Sequence, residues 1–389
     1  MVIFSPNVKK VEKWKSSRDI KRLLEALDSY DVEVHLAAVR ALHELKATEA
    51  VPRLQVDLRH PLSSEIRAAA ADALGAMKVP SCAKALIEAL GDDVPLVSKT
   101  AYKAVLGLGK AAITPLLDSL KDYRSERVRD NCLQIIKDMG RNAQPELIEG
   151  LKSNSGGLRQ YCAALLGNNS DPQAILALEE ALLDKSAEVR RAAADALYKT
   201  GTLPRNNKAL AFYYVSRLMI DEAAALGPIA VDALKTELEN RNFRIRRQVA
   251  VSLRKVNWKP QTVEEAIAFW IAAGKFSETV KYGEEAQEPL MRMLSDSNIK
   301  VKKGAAAALK KVGVPQMAKQ IVRDIERMSD ITYFRLKNGT FDVRRIGLPC
   351  QHYKGKLYLL SLENADAEQE KHILSLYPDA EIIGEDEAV

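Results

Sequence analysis

The sequence has few aromatic residues, cysteines and histidines, and each scarcity disfavours a class of protein. Phe, Trp and Tyr make up 6% of the 389 residues, which disfavours a β-rich fold. The four cysteines show no C-x-x-C spacing, so neither a zinc site nor a disulfide framework is indicated. Apolar runs stay well short of the roughly 18 residues of a membrane span, and "MVIFSPNVKK" lacks the features of a signal peptide. We therefore expect a cytoplasmic protein that makes no membrane contact.

What the sequence does contain is a repeat. "SSEIRAAAADAL" at 63–74 returns as "SAEVRRAAADAL" at 186–197. The apolar residue of the "EIR" or "EVR" element serves below as the anchor from which each repeat is numbered. The anchors are Val34, Ile66, Val97, Val128, Leu158, Val189, Ile245 and Val301. Position +4 is small and position +8 is apolar in nearly every repeat, which predicts one buried face of a helix. A second amphipathic helix precedes most anchors, so each repeat is predicted to be a helix pair.

A pair of about 30 residues cannot bury its apolar face alone, so neighbouring pairs must stack on a shared core. The repeats resemble HEAT repeats, in particular the HEAT-like subgroup first associated with phycobilisome lyases, whose units carry V-R-x-x-A-A-x-A-L-G. The resemblance implies an all-α superhelical solenoid, the armadillo-like helical architecture. It is specific for the fold and poor for function, since scaffolds, lyase subunits and a few enzymes share such repeats.

The predicted organisation has four parts. They are an N-terminal cap (1–16), a solenoid of eight HEAT-like helix pairs (17–313), a connecting helix (314–329) and a small acidic α+β domain (330–389). Insertions near 203–227 and 259–283 enlarge the last two pairs, and each insertion is predicted to form an extra helix followed by a short helical turn. The sequence between 330 and 389 holds 7 Lys and Arg against 11 Asp and Glu, a net charge of −4.

The C-terminal segment departs from the helical period. "ITYFRL" and "FDVRRIG" flank Asn338 and Gly339, a dipeptide that favours a hairpin turn between two strands. "KLYLLSL" then predicts a strand, "ADAEQEKHILSL" a helix and "AEIIG" a last strand. This pattern gives the small C-terminal α+β domain.

Catalytic patterns are scarce. The deoxyhypusine hydroxylases, which are HEAT-repeat enzymes, carry His-Glu pairs in several repeats, whereas the +2 and +3 positions here hold none. The single His43-Glu44 dipeptide lies further along its helix and has no counterpart in another repeat, so His43 is expected at a surface or an interface. Phosphate-binding loops and nucleophile elbows are lacking. We therefore predict no catalytic residue, metal or cofactor, and leave open a lyase-type or DNA-glycosylase-type activity that has no short motif.

Basic residues recur at position +1. They are Arg67, Arg129, Arg159, Arg190, Arg246 and Lys302. A cation in the first turn of a helix opposes the helix dipole, so each is expected to have a carboxylate partner nearby. The candidate partners are Asp92, Asp122, Asp184 and Asp296. We interpret this ladder as structure between repeats, with a ligand-binding stripe as the alternative.

A second basic set occupies positions +2 and +9, which are expected to share the side of the second helix that lines the concave surface of HEAT solenoids. In the last two repeats these positions are Arg247 with Arg254, and Lys303 with Lys310. Aromatic residues concentrate in the insertions, either to pack the added helices or to bind a partner. The candidate partner-binding residues are Arg191, Arg247, Arg254, Lys303, Lys310, Tyr213 and Trp270.

The favoured function is a non-enzymatic scaffold or adaptor that binds a protein partner with an acidic surface. A net charge of +6 is modest for this length, and no interleaving of basic and aromatic residues indicates a stacking platform, so nucleic acid is less favoured as a partner. The acidic C-terminal segment is further predicted to fold over the last repeats. There it would either cap their apolar core or compete with an acidic partner for the basic face.

Overall fold

A computed structural model shows a chain that is mainly helical. It describes residues 6–121, 125–168, 171–327, 331–336, 341–347, 351–352, 359–363 and 367–383. The chain divides into two compact units, one ending at Arg217 and the other beginning at Leu218.

Unit 1 begins with a single helix and continues with six helix pairs. The single helix is α1 (Val8–Ser16). The first three pairs are α2 (Ile20–Ala26) with α3 (Val32–Glu44), α4 (Val51–Asp57) with α5 (Ser64–Met77), and α6 (Ala83–Ala89) with α7 (Pro95–Leu108). The next three are α8 (Ile113–Ser119) with α9 (Glu126–Met139), α10 (Gln144–Gly150) with α11 (Gly156–Leu166), and α12 (Pro172–Ala181) with α13 (Ala187–Thr200). Helix α14 (Asn207–Ser216), from the first insertion, completes the unit.

Unit 2 contains two further pairs and the C-terminal region. Its helices are α15 (Ile220–Ala225), α16 (Val231–Lys235), α17 (Phe243–Lys255), α18 (Val263–Ala272), α19 (Gln287–Met293), α20 (Ile299–Val312) and α21 (Lys319–Arg327). A 3-10 segment, Phe276–Ala286, lies between α18 and α19. The C-terminal elements are β1 (Ile331–Leu336), α22 (Val343–Ile346), β2 (Gln351–His352), β3 (Leu359–Glu363), α23 (Ala367–Leu376) and β4 (Ala380–Ile383).

The repeat pattern identifies the buried face of every second helix, which confirms the helix-pair prediction. All eight residues at +4 have an exposed fraction of 0%, including Cys132, Cys162 and the larger Val249. Among the residues at +8, Ile136 is the most exposed, at 1%. The small +4 side chains let neighbouring elements approach, and the +8 side chains fill the space between the two helices of a pair. Burial also raises the pKa of the Cys132 and Cys162 thiols to about 12. Cys350 lies outside the described residues.

Glycine ends two of the second helices in a conformation that other residues avoid. Gly109 has φ 59° and ψ −135°, and Gly140 has φ 55° and ψ −128°. This backbone region is accessible essentially to glycine alone, which explains why glycine stands at these two helix ends. A short 3-10 turn then leads into the first helix of the next pair.

In unit 1, successive second helices pack directly against each other, as α5 does on α7 and α11 on α13. The approach is close enough to require glycine. A Cβ added at Gly75 would lie 2.8 Å from the Cα of Ala104, and one added at Gly167 would lie 2.7 Å from the Cα of Ala196. Both glycines stand at position +9. In these two repeats, therefore, +9 is a helix-to-helix contact and not a surface position, contrary to the sequence prediction.

In unit 2 the inserted elements occupy this contact region. Helix α17 packs on α15 and α18, α18 packs on the 3-10 segment, and that segment packs on α20. The ring of Phe276 fills the space beside Gly304, where an added Cβ would come within 2.3 Å of the ring. The predicted extra helix is thus present in both insertions, as α14 and as α18.

The C-terminal region forms a four-stranded antiparallel sheet in the order β2-β3-β1-β4. Phe334 pairs with Leu360 on one side and with Ile382 on the other. Phe334, Leu360 and Ile373 are fully buried in a small core of their own. The predicted strands in "KLYLLSL" and "AEIIG" and the helix between them are confirmed, as is the α+β fold of this region.

The hairpin predicted after β1 is wrong. "FDVRRIG" contains the short helix α22, in which the amides of Arg345 and Ile346 donate to the carbonyl of Asp342. Phe341, just before this helix, and Ile346, at its end, are both buried in the core of the C-terminal region. The antiparallel neighbours of β1 are instead β3 and β4. The Asn338-Gly339 turn itself lies outside the described residues.

Helix α21 covers the apolar end of the last repeat. Val322 and Ile325 of this helix, with Ala318 just before it, are buried in the same core cluster as Val301 and Leu309 of α20. The C-terminal region contacts α20 by an ion pair between Lys300 Nζ of α20 and Glu370 Oε1 at 3.0 Å. Capping by apolar packing is therefore a property of α21. The division of the chain into cap, solenoid, connecting helix and C-terminal domain at the boundaries given above stays a prediction.

Candidate partner-binding surfaces

Three arginines of the +1 ladder connect their repeat to the next. Arg67 Nε and NH2 donate to the two carboxylate oxygens of Asp92 at 2.6 and 3.0 Å. Arg159 binds Asp184 in the same way, at 2.7 and 2.8 Å. In each pair the aspartate lies 25 residues ahead, where it also accepts a hydrogen bond from the backbone amide two residues on, just before the next second helix. This confirms the expected carboxylate partners for these two arginines.

The same connection spans the second insertion. Arg246 NH2 donates to Asp296 at 2.6 Å, although the two residues are 50 positions apart. Arg246 NH1 also donates to the carbonyls of Asn240 and Arg241. The side chains of Arg246 and Asp296 are only 2% and 3% exposed, so this pair is more deeply buried than its equivalents in unit 1. Asp122, the remaining predicted partner, lies outside the described residues.

Other +1 residues have different partners. His35 Nε2 lies 3.0 Å from Asp57 Oδ2, and both side chains are buried. Arg190 NH1 donates to the backbone carbonyls of Asp184 and Lys185. Arg129 pairs with carboxylates of its own helix and is partly exposed. The +1 positions therefore serve mainly as structure between and within repeats, which supports the interpretation favoured from the sequence over a ligand-binding stripe.

The predicted partner-binding cations have few internal partners. Arg191 in unit 1 is exposed, as are Arg247 and Arg254 in unit 2, while Lys303 is half-buried. Among the described residues no carboxylate lies within the 4.0 Å ion-pair distance of these four side chains. Lys310 differs, because its ammonium pairs with Glu326 of α21.

The two predicted aromatic residues have different environments. Tyr213 is 4% exposed and packs into the core of unit 1, where it offers no surface to a partner. Trp270 is half-buried, and the ammonium groups of Lys275 and Lys281 lie 6.0 and 5.4 Å from its ring. Lys281 is also 5.2 Å from the ring of Tyr282. The structure thus brings cations and aromatic rings together in the second insertion, a juxtaposition that the repeat pattern did not predict.

Unit 2 also contains a groove of about 540 Å³ that the sequence analysis missed. Its apolar lining comes from Leu238, Ile267, Ile271 and Met293. Its charged lining comprises Glu239, Glu264, Glu284, Glu285, Glu288, Arg246 and Arg292. The "GEEAQEP" stretch at 283–289 was a visible acidic signal. Its position beside an apolar floor depends on the packing of α18 and α19, which no repeat pattern specifies.

Two structural features are lacking from the described ranges. No group of three or more His, Cys, Asp or Glu side chains there is arranged to hold a metal ion. His43 lies instead between two repeats, with Nδ1 3.4 Å from the carboxylate of Asp72. Within the same ranges, no helix combines the length and the apolar character that a membrane span requires.

Solved structures of similar fold include three proteins of different kinds, each 18% identical to this chain. An engineered protein matches over 79% of this chain and 92% of its own, with a TM-score of 0.25. Human deoxyhypusine hydroxylase in complex with glycerol covers 64% and 89%, with a TM-score of 0.23. The complex of CpcE and CpcF of phycocyanin lyase from Nostoc sp. PCC7120 covers 61% and 94%, with a TM-score of 0.27. Likenesses at these TM-scores carry no argument about function.

Among curated protein sequences none matches the chain. The family model for HEAT repeats matches three times, at residues 20–93, 57–137 and 145–212. These segments cover the helix pairs of unit 1, with the +4 and +8 burial described above. The chain therefore contains HEAT repeats, stacked helix pairs that form a helical scaffold.

Proposed function

We propose that the protein is a non-enzymatic scaffold or adaptor that binds an acidic protein partner through cations of unit 2. The cations form a basic row, defined as Arg247, Arg254, Lys275, Lys281 and Lys303. They are carried by α17, by the second insertion and by α20, elements that pack one on the next. Repeat stacks of this kind present extended surfaces, and charge complementarity governs encounter with a partner.

The observation that carries this proposal is the contrast between two sets of cations. The +1 arginines are bound within the fold, most deeply at Arg246 and Asp296. Arg247 follows Arg246 directly, yet it is exposed and has no carboxylate within ion-pair distance among the described residues. Folding therefore does not account for Arg247, Arg254 and Lys303. Charged side chains left free on packed elements are suited to a partner of opposite charge.

No carboxylate in the described part of the C-terminal region lies within ion-pair distance of these three cations. The acidic side chain of Glu370 in this region pairs with Lys300, which is not part of the basic row. Competition between this region and an acidic partner, as raised from the sequence, is therefore not part of the proposal.

Trp270 with its two neighbouring lysines supports a second candidate, single-stranded nucleic acid. A half-buried indole beside cations resembles the stacking sites that bind bases while lysines contact phosphates. The two candidates differ in the shape of the ligand, since an acidic protein segment needs charge alone and a nucleic acid also needs the ring.

The test compares two probes with the full chain. One is a fluorescent peptide of twelve glutamates and the other is a single-stranded oligonucleotide of equal charge. The variant R247E/R254E/K303E should weaken peptide binding roughly ten- to a hundredfold, because three exposed pairs are lost and replaced by repulsion. The matched control K84E/K110E/K199E carries the same change in net charge on exposed lysines of unit 1 and should leave binding unchanged.

Each outcome decides between the candidates. Equal loss in both variants would mean that net charge alone drives binding and would overturn the proposal. Tighter oligonucleotide binding that Trp270→Ala abolishes would transfer the assignment to nucleic acid.

A further inference from the structure

The groove in unit 2 has a chemistry opposite to that of the basic row. Five glutamates and two arginines line it, a net charge of −3 within a chain whose net charge is +6. Among the described residues, Glu239 alone of the five glutamates forms an ion pair, to Arg292 at 3.4 Å, and both side chains are more than half exposed. Glu264, Glu284, Glu285 and Glu288 have no cation within 4.0 Å among the described residues. Four exposed carboxylates thus surround the groove with their charge uncompensated.

Glu264 has an environment that favours its ionised form. Its carboxylate stands in the first turn of α18 and accepts hydrogen bonds from its own backbone amide and from Thr262, which lowers its pKa. An ionised carboxylate there is also favoured by the helix dipole. The negative charge of Glu264 is therefore available to a ligand at neutral and basic pH.

The groove is more than a cluster of acidic residues, because its floor is apolar. Leu238, Ile267 and Ile271 are buried beneath it, and Met293 is half-buried at its side. A volume of about 540 Å³ falls within the range of sites that bind small ligands or a few side chains. Apolar floor and charged rim together favour an occupant that carries both apolar and cationic groups.

The wall of the groove adds an independent signal. Arg246, which is 2% exposed, forms part of this wall, and its Nε is a buried donor without a hydrogen-bond partner among the described residues. Buried polar groups are normally paired, so an unpaired donor at the wall of a groove points to a missing acceptor. A peptide supplies such an acceptor in its backbone carbonyl.

We propose that this acidic groove binds a segment of another protein in which basic side chains flank an apolar one. The free carboxylates stand on α18, on the 3-10 segment and on α19, so a matching ligand needs several cations that are spaced apart. The apolar side chain would lie on Ile267 and Ile271, and a backbone carbonyl would face Arg246. This site is independent of the basic row and of the acidic partner proposed for it.

The experiment titrates a fluorescent peptide, acetyl-Gly-Arg-Leu-Leu-Arg-Gly-amide, into the full chain at low salt. Variant E284K/E288K should weaken binding about tenfold or more, because two attractive contacts become repulsive. Variant A268W, which fills the groove without changing charge, should also weaken it. The matched control E49K/E222K places the same charge change on exposed glutamates elsewhere and should bind like the unaltered chain.

Alternative occupants are distinguished in the same titration. If the peptide binds E284K/E288K and the control equally, or if A268W binds normally, the groove is not the site. If spermidine displaces the peptide and A268W leaves spermidine binding intact, a simple polyamine is the occupant and the peptide assignment falls. If light scattering shows dimers that E284K/E288K abolishes, the occupant is a second copy of the chain. Loss of peptide binding in R247E/R254E/K303E would show that the two sites are not separate, whereas failure of the basic row alone leaves this result untouched.

Discussion

Position +9 has different neighbours in the two units. In unit 1 it is glycine at Gly75 and Gly167, where the next second helix comes so close that a Cβ would overlap its backbone. In unit 2 it is Arg254, which is exposed, and Lys310, which pairs with a carboxylate of α21. Lys137, at +9 of a repeat in unit 1 that no insertion follows, is exposed as well. Close packing at +9 is therefore a property of the repeats that carry glycine there, and a side chain can occupy +9 at the surface with or without an insertion.

The arginine ladder shows what the insertions leave unchanged. Arg159 and Asp184 are 25 residues apart and Arg246 and Asp296 are 50 apart, yet both pairs join one repeat to the next. The inserted residues thus lie outside the register that relates successive pairs. The ladder supplies the framework, and both proposed binding sites lie beside the second insertion, where Arg246 belongs to the ladder and to the wall of the acidic groove.

The largest expected effect comes from removing the ion pair between Arg246 and Asp296, the most deeply buried pair of the ladder. Arg246→Ala leaves the carboxylate of Asp296 buried without its cation, so unit 2 should lose about 3 to 5 kcal/mol of stability. Hydrogen exchange should show this loss in peptides from α17 to α20. Arg67→Ala, at the more exposed equivalent in unit 1, should cost less. Equal losses in the two variants would contradict the comparison of burial.

A smaller effect should follow from the close helix approach in unit 1. In Gly75→Ala the new Cβ would lie 2.6 Å from the Cβ of Ala104, so α5 and α7 must separate, at about 1 to 3 kcal/mol. Gly107→Ala is the matched control, because a Cβ there meets nothing within 4 Å. That substitution should be neutral or stabilise α7. Urea denaturation followed by circular dichroism measures the stability of both variants. Equal unfolding midpoints for Gly75→Ala and Gly107→Ala would show that α5 and α7 can separate at no cost.

The ladder should also make unit 1 sensitive to acid. The hydrogen bond from Arg67 lowers the pKa of Asp92 below its ordinary value of 3.8. Because the folded pKa is the lower one, this pair contributes stability that is complete above about pH 4 and is lost as pH falls through the folded value. Asp92→Asn should therefore be less stable than the unaltered chain at pH 6, by about 1 kcal/mol. The gap should narrow below pH 4, and a gap that stays constant would rule out this linkage.

The smallest expected effect concerns the cysteine thiols at +4. They should not react with thiol reagents in the folded chain, and the stability of the chain should stay the same. With pKa values raised to about 12 by burial, Cys132 and Cys162 have very little thiolate at pH 8. In a Cys350→Ser variant, Ellman's reagent should react negligibly with the folded chain. It should then detect three thiols in urea, those of Cys82, Cys132 and Cys162. Rapid reaction before urea is added would mean that α9, α11 or the turn that contains Cys82 opens locally.

The sequence predicts what recurs and misses what occurs once. The burial of Ala70 and Leu74 follows from a period that eight repeats share, and the ladder follows from the recurrence of +1 arginines. The α22 turn carries no repeated signal, and the Asn-Gly dipeptide beside it favoured a hairpin. Tyr213 illustrates a further limit, since an aromatic residue in an insertion can either pack or bind and only the core around it decides. The acidic groove combines residues of α17, α18 and α19, and their order in the sequence does not show that they lie together.

The aromatic residues of the second insertion also give the protein an optical probe of its own. The ring centroid of Phe269 lies 5.7 Å from that of Trp258 and 5.1 Å from that of Trp270, with lysine ammonium groups near both indoles. Two of the three tryptophans of the chain thus lie together in unit 2, within the insertion that carries part of the basic row. Indole emission responds to nearby charge and to exclusion of water. Binding of a partner to the basic row should therefore shift the wavelength of the tryptophan emission maximum, without any label attached to the chain.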